Sequence, residues 1–305
     1  EAAVEGDHRK WIVALLNTAA WVEIASDEYA AAERRLRAAG WYCEELPPCG
    51  ERSDTLYYRS KLARLRGDLE AAERWLSETI ELDRELGNRQ NVSSSLKSLG
   101  DVARDRDDPE TATERYRRSL EIKRRLGDRA GEADVLLALG EASIDRGALD
   151  DAAESLEGSL EIAREENADR RVSEAHRGLG RLRLERADPD RAAEHYEAAR
   201  AVAESIDRPR GVADADVGLG RAAAERGDDA DAVERYRAAF DRYREIGADR
   251  RAVETAERLG EACRRLGRPD AAAERCADAL DLAAELGATE RRKRLRTLHG
   301  ELSDA

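Results

Sequence analysis

Small and apolar residues recur along this chain with a fixed spacing of 40 residues, and positions related by this spacing are called a column below. One column is alanine throughout, four residues later comes Leu, Tyr or Cys, and seven residues later comes a small residue. Spacings of i, i+4 and i+7 place residues on one face of an α-helix. The pattern therefore predicts a buried helical face in each of seven periods, centred on Ala32, Ala72, Ala112, Ala152, Ala192, Ala232 and Ala272.

A second helix is predicted before each alanine. A Leu-Gly pair precedes most of these alanines, and residues that break helices lie between them, as in Arg66-Gly67-Asp68 and Asp107-Asp108-Pro109. Gly suits the left-handed residue after a helix, Asp suits the N-cap, and Pro suits the first helical turn. Each period is thus predicted to be a helix pair, at about 91–106 and 109–126 in the third repeat.

Self-similarity at this period is typical of a helical solenoid, in which each unit buries its apolar face against its neighbours. We therefore expect an all-α solenoid forming one domain over residues 1–305. The predicted repeats lie near 9–46, 50–86, 90–126, 130–166, 170–206, 210–246 and 250–286, and a closing helix is predicted at 289–303.

The order Leu-Gly, then Ala, then an aromatic residue or Leu, then a small residue resembles the tetratricopeptide repeat (TPR). With its 40-residue period, the chain is similar to the long-helix repeats of kinesin light chains and of sensor arms in multidomain signalling ATPases. The resemblance implies a right-handed superhelix whose concave face is lined by the first helix of each repeat. It also implies a role in binding proteins or peptides. The chain departs from the family at the tyrosine of the first helix, which is replaced by Ala63, Ala103, Ser143, Arg183, Ala223 and Cys263.

The family's clamp of Lys and Asn side chains for a C-terminal carboxylate has no match here. The corresponding columns carry Asp101, Glu141 and Arg181, and Ser98, Ala138 and Gly178. We therefore do not expect binding of the chaperone tails that this clamp holds.

The net charge of the chain limits which partners it can bind. The formal net charge is −14, and 39% of the residues are charged. An acidic surface argues against binding to nucleic acid or to an anionic membrane, since both require a basic face. The predominance of Arg over Lys, together with abundant Asp, favours a salt-adapted (halophilic) organism, in which concentrated salt screens the repulsion between carboxylates.

The sequence contains no apolar run long enough for a membrane span and no N-terminal signal pattern, so a cytoplasmic location is expected. The chain begins at Glu1 and contains no Met, which indicates a fragment or a processed product with a possible upstream domain.

No set of residues predicts catalysis, a cofactor or a metal. Gly-Leu-Gly-Arg occurs at 178–181 and 218–221, but within predicted helices and without the preceding strand that a phosphate loop requires. The histidines lack a second ligand at helical spacing. His176 and Asp216 share a column, and they either face each other partly buried or are solvated separately. We therefore expect the chain not to be an enzyme.

Two cysteine pairs and one basic run leave alternatives open. Cys263 and Cys276 lie in core columns and are expected to be buried thiols. Cys43 and Cys49 flank a repeat junction and could form a disulfide, although cytosolic proteins rarely keep one.

The basic run at 291–296 could indicate nucleic acid, but pairing with carboxylates of the preceding helix, Asp278, Asp281 and Glu285, explains it more simply.

These observations predict a non-catalytic scaffold that binds a peptide or partner protein in its concave groove. The groove residues expected to contact the partner are Leu137, Glu141, Ile144, Arg177, Arg181, Leu184, Val217 and Arg221. The alternative for the arginines is simple pairing with Glu141, Glu185 and Glu225. Two further functions remain open, a sensor or regulatory arm of a larger signalling ATPase or effector, and a self-assembling structural protein.

Trp21 and Trp41 occupy columns that are mostly charged in the other repeats. Apolar rings at such positions predict an interface with an upstream domain. The alternative is a local cap formed by residues 1–10.

Overall fold

The computed structural model describes residues 2–26, 28–267, 270–286 and 288–303, without the side chains of residues 2–5, 270–273 and 301–303. Over these residues the chain is helical, with no β-strand. The fifteen helices are α1 (Ala2–Ala25), α2 (Tyr29–Cys43), α3 (Gly50–Leu65), α4 (Leu69–Glu85), α5 (Arg89–Asp105), α6 (Pro109–Leu126), α7 (Arg129–Asp145), α8 (Leu149–Glu165), α9 (Asp169–Glu185), α10 (Pro189–Ser205), α11 (Pro209–Glu225), α12 (Asp229–Glu245), α13 (Asp249–Leu266), α14 (Asp270–Glu285) and α15 (Thr289–Ser303).

The predicted helix pairs are confirmed, with odd-numbered helices as first helices and even-numbered ones as second helices. The helices group into two compact units, Glu1–Arg146 and Gly147–Ala305. Within each unit, successive helices pack side by side, and first helices of neighbouring repeats also touch, as α1 touches α3 and α9 touches α11. None of the described helices is both long and apolar enough to cross a membrane.

The junctions between helices follow the predicted chemistry. Asp108 caps α6 by accepting a hydrogen bond from the Thr111 backbone N–H at 3.0 Å, and Pro109 begins the helix. Gly127 ends α6 with a left-handed φ of 67°. Some junctions have another residue at the position of this glycine. Asp107 and Ala187 adopt left-handed φ values of 61° and 54° there. The shape of the junction is thus kept even where the residue does not favour it.

The predicted core columns are buried. Six alanines of the invariant column are fully buried, while the side chain of the seventh, Ala272, lies outside the described residues. The columns four and seven residues later are also buried in every repeat, from Leu36 and Ala39 to Cys276 and Ala279.

The mid-helix glycines make room for the rings of second helices. A Cβ atom added at Gly100 would lie 2.4 Å from a ring carbon of Tyr116, and one at Gly220 would lie 2.7 Å from Tyr236. Tyr196 is enclosed by two glycines, since a Cβ at Gly180 or Gly218 would lie 2.9 or 2.3 Å from its ring. Such distances are too short for a real side chain, so each tyrosine depends on glycine in the first helices that it crosses.

The four cysteines are buried free thiols, so Cys43 and Cys49 do not form a disulfide. Burial raises the pKa of all four thiols.

The basic run of α15 pairs differently from our expectation. Arg291 donates to Glu254 at 3.0 Å and to Glu257 at 3.2 Å, both on α13 and not on the preceding helix α14. The pairing expected with Asp278, Asp281 and Glu285 was wrong for this arginine, because α15 also packs on α13, two helices earlier.

Candidate functional site

Charged side chains link successive first helices within each unit. In the first unit, Arg104 of α5 donates to Glu141 at 2.7 Å and to Asp145 at 2.9 Å, both on α7. In the second unit, Arg177 of α9 donates to Asp214 of α11 at 2.6 Å. Arg104, Glu141 and Arg177 lie on the columns predicted to face the partner, and these pairs tie neighbouring repeats together. We call the columns of Lys97, Asp101 and Arg104 the first-helix face.

Asp101 shows how the second helix contributes to this face. It accepts a hydrogen bond from the Tyr116 hydroxyl at 2.7 Å and one from Lys97 at 2.9 Å. Burial alone would raise the pKa of Asp101, but the positive charges of Lys97 and Arg64 outweigh it and hold the pKa below its usual range. The ring of Tyr116 passes beside Gly100, and its hydroxyl thereby reaches the first-helix face.

The second unit has Tyr196 and Tyr236 in the column of Tyr116. The column of Asp101 there holds Arg181 and Arg221 and is acidic again at Glu261. Arg221 stands in the column of Asp101, is half-buried, and forms no ion pair with a described residue. The hydroxyls of Tyr196 and Tyr236 have no hydrogen-bond partner among the described residues. Burial raises the pKa of both phenols, to about 12 for Tyr236, whereas the charge of Arg221 acts to lower them. The face thus offers the Arg221 guanidinium to a ligand, with two phenol hydroxyls below it on rings that are only 2% and 3% exposed.

The predicted groove residues divide into accessible and buried ones. Leu137, Glu141, Arg177, Arg181, Val217 and Arg221 are half-buried, as expected of residues lining a surface. Ile144 and Leu184 are only 5% and 8% exposed, so they support the face from beneath.

Tyr196 and Tyr236 were missed in the sequence as candidates for binding, because their column predicts only core packing. The signal lies in the pairing of two columns. A glycine 16 residues earlier accompanies all three tyrosines of this column, Tyr116, Tyr196 and Tyr236. The same glycine also precedes Leu156 and Cys276, whereas Ala20 and Ser60 precede Leu36 and Leu76. Where tyrosine follows this glycine, the missing side chain leaves room for a buried ring between the first helices.

A histidine pair in the second unit was also missed. His176 on α9 and His195 on α10 place their Nδ1 atoms 3.1 Å apart, and Arg164 lies 3.3 Å from Nε2 of His176. Arginine can only donate, so His176 Nε2 accepts from Arg164 and His176 Nδ1–H donates to His195. Both rings are therefore neutral. His176 and Asp216 are both buried but do not pair, because Asp216 binds Arg200 and Arg242 at 3.0 and 3.1 Å.

Neither histidine belongs to a metal site that the structure can identify. Among the described side chains, no group of three or more His, Cys, Asp and Glu residues is placed to hold a metal ion.

The first two helices expose apolar side chains. Trp21 on α1 is 48% exposed and Trp41 on α2 is 61% exposed. Residues 2–10 continue α1 as a regular helix and both rings stay exposed, which argues against the alternative of a local cap. Trp11 and Leu15 of α1 are also largely exposed.

A family model, tetratricopeptide repeat, matches residues 51–125, 131–205 and 211–285. The chain belongs to the tetratricopeptide repeat family. No curated protein matches it in sequence.

Solved structures of TPR-type proteins resemble the chain. NprR in complex with its cognate peptide NprX is 13% identical, with a TM-score of 0.65 over 97% of this chain and 89% of that one. A Rap protein complexed with Competence and Sporulation Factor is 14% identical, with a TM-score of 0.62 over 97% and 99%. A signal transduction ATPase with a TPR sensor from Pyrococcus horikoshii is 16% identical, with a TM-score of 0.64 over 92% and 44%. At these identities the likeness shows the fold alone, a TPR α-solenoid.

The histidine pair predicts a loss of stability in mild acid. Burial, together with the charges of His195 and Arg164, lowers the pKa of His176 to about 4, and burial lowers that of His195. A pKa depressed on folding contributes stability that is complete above about pH 6.5 and is lost as the pH falls toward 4. We expect on the order of 2 kcal/mol of this loss to depend on the pair.

His176→Leu is the test, because Leu56, Leu96 and Leu136 hold this column in other repeats. Urea unfolding at pH 7 and pH 5 should show a smaller pH effect in this variant than in the wild type. His8→Gln, at an exposed histidine, is the control and should leave the effect unchanged. An equal pH effect in all three proteins would contradict the prediction.

Proposed function

We propose that this chain is a non-catalytic TPR scaffold that binds an extended peptide segment on its first-helix face, through Arg221, Tyr196 and Tyr236. The observation that carries the proposal is that the half-buried guanidinium of Arg221, and the hydroxyls of the nearly buried Tyr196 and Tyr236, have no described partner. A carboxylate of the bound segment would complement Arg221, and peptide carbonyls or carboxylates would accept from the phenols. Arg177 and Val217 flank this site and add a charge and an apolar contact.

The same face in the first unit is less suited to an acidic ligand. There Arg104 is already bonded to two carboxylates, and Asp101 to Lys97 and Tyr116. We therefore place the main contact in the second unit. The likeness to NprR in complex with its cognate peptide NprX supports a peptide as the ligand. A cytoplasmic location is part of this proposal, in agreement with four free thiols.

A peptide-display library panned against the chain tests this proposal, because it samples many candidate segments at once. We expect enriched peptides to carry carboxylates beside a few apolar residues. Arg181→Glu combined with Arg221→Glu should abolish capture while leaving helicity intact. Tyr196→Phe combined with Tyr236→Phe should weaken binding about tenfold or more, since each lost bond to a charged group is worth about 1.5–3 kcal/mol.

Arg191→Glu combined with Arg237→Glu makes the same charge change at exposed positions of second helices and serves as the control. It should bind the selected peptides as the wild type does. Unchanged binding after substitution of Arg181 and Arg221 would contradict the proposal, as would equal losses in the control.

A second candidate function, a regulatory arm joined to another domain, is supported by the exposed face of α1. Leu15 is 68% exposed and Val22 is 50% exposed. Their columns are almost fully buried in all later repeats, at Thr55, Ser95, Val135, Ala175, Ala215 and Thr255, and at Leu62, Val102, Ala142, Leu182, Ala222 and Ala262. In each of these later repeats, the second helix of the preceding repeat packs on the first helix of the repeat itself. We propose that α1 likewise receives a further helix, with Trp21 and Trp41 at the edge of the same interface.

Serine substitutions on this face test the arm proposal. Leu15→Ser and Val22→Ser should change the free energy of unfolding of the isolated chain by less than about 0.5 kcal/mol, because both sites are exposed. Leu62→Ser, on the buried column of Val22, should cost about 2–5 kcal/mol. Acrylamide quenching of tryptophan fluorescence should be weaker in the product of the complete gene than in these 305 residues, and equal quenching in both would contradict an arm.

A further inference from the structure

The second unit contains a cavity of about 240 Å³ between α9, α10 and α11. Its floor consists of small residues, Ser173, Ala199, Ala203 and Gly211. Its walls carry five arginines and two carboxylates, at Arg170, Arg177, Arg208, Arg210, Arg251, Glu174 and Asp214. We call this cavity the arginine pocket.

The carboxylates of the pocket do not neutralise its arginines. Asp214 accepts from Arg177 at 2.6 Å and from the Tyr243 hydroxyl at 2.5 Å. Glu174 lies 3.8 Å from Arg170 and 3.6 Å from Arg208, so two guanidiniums share one carboxylate. Arg251 also lies 3.8 Å from Glu254, outside the pocket lining, so five guanidiniums against three carboxylates leave two positive charges in excess. Such an excess contrasts with the net charge of −14 of the whole chain.

The cavity exists because one residue of the repeat is small. In the third repeat this column holds Lys123, which is 5% exposed and bonded to Asp128 at 2.8 Å. In the sixth repeat it holds Tyr243, which is 1% exposed and donates to Asp214. Ala203 stands in the same column of the fifth repeat and leaves that space empty. Gly211 widens it, since Arg171 and Arg251 hold its column in the neighbouring repeats.

We propose that the arginine pocket binds a phosphate monoester group. Guanidiniums match phosphate oxygens with two parallel hydrogen bonds, and a dianion compensates most of the excess charge where a single carboxylate would not. The volume accommodates a phosphate together with the atoms that carry it. The arginines at the rim are between about one third and one half exposed, so the group enters from solvent.

The inference goes beyond the proposed peptide binding, and Arg177 is the one residue that the two sites share. The pocket can be tested with small phosphates in the absence of any partner. The variants described next leave Arg221, Tyr196 and Tyr236 in place, so failure of one proposal does not decide the other.

Calorimetric titration with phenyl phosphate, using benzoate as the carboxylate counterpart, is the first experiment. We expect saturable binding of phenyl phosphate at one site and at least tenfold weaker binding of benzoate. A phosphoserine peptide and its serine counterpart distinguish the source of the phosphate. Binding of the phosphoserine peptide alone supports a phosphorylated protein, and binding of phenyl phosphate alone supports a small metabolite. Absence of binding by both phosphates would overturn the proposal.

Ala203→Tyr is the decisive variant, because it fills the cavity without changing its charge and copies the residue of the next repeat. It should weaken phosphate binding at least tenfold. Arg170→Gln combined with Arg251→Gln, at exposed positions, should give a similar loss and remains informative if the first variant folds poorly. Arg191→Gln combined with Arg237→Gln is the control for net charge. Retained binding in the filled variant, or an equal loss in the control, would overturn the proposal.

Discussion

The passage of second-helix side chains between first helices is the constraint on which the rest of this structure depends. Helices approach closely where one of them has no side chain, and the facing side chain then fills the space. Gly100, Gly180 and Gly220 provide that space for Tyr116, Tyr196 and Tyr236. The arrangement fixes the register of each helix pair, and it also directs a polar hydroxyl toward the first-helix face, as the bond from Tyr116 to Asp101 shows. Packing and the candidate binding site are therefore consequences of the same pair of columns.

Charge is organised on a finer scale than the net value suggests. The chain is acidic overall, yet the first-helix face changes from Asp101 and Glu141 to Arg181 and Arg221 along one column. Most of the arginines with described partners are paired with carboxylates of a neighbouring repeat, as Arg104 is with Glu141 and Asp145. Where such pairing is incomplete, at Arg221 and in the arginine pocket, a local positive site remains on an acidic protein. Net charge governs long-range attraction, whereas binding depends on these local groups.

Much of the fold could be predicted from the sequence, because a 40-residue period repeats the same physical signal seven times. Periodic small residues, N-caps and helix-ending glycines predicted the helix pairs within two residues at α5 and α6, which begin at Arg89 and Pro109. The groove residues were predicted by column, but a column does not tell how deep a side chain lies, and Ile144 and Leu184 are buried.

Features that depend on contacts between different columns could not be predicted in this way. His176 and His195 are 19 residues apart on different helices, and only their packing brings the rings together. The arginine pocket depends on the small side chain of Ala203, which looks like an ordinary core alanine in the sequence. The direction of the Tyr196 hydroxyl follows from the glycines that flank its ring, a correlation that requires two columns to be compared.

A double-mutant cycle at Gly220 and Tyr236 tests the central constraint most directly. With Tyr236 present, Gly220→Ala should cost about 1–3 kcal/mol of unfolding free energy in urea, because the added Cβ would lie 2.7 Å from the ring. With Tyr236→Leu present, the same change should cost almost nothing, since Ala20 and Leu36 form this pair in the first repeat. We predict a coupling of at least about 1 kcal/mol between the two sites. Additive effects of the two substitutions would contradict the account.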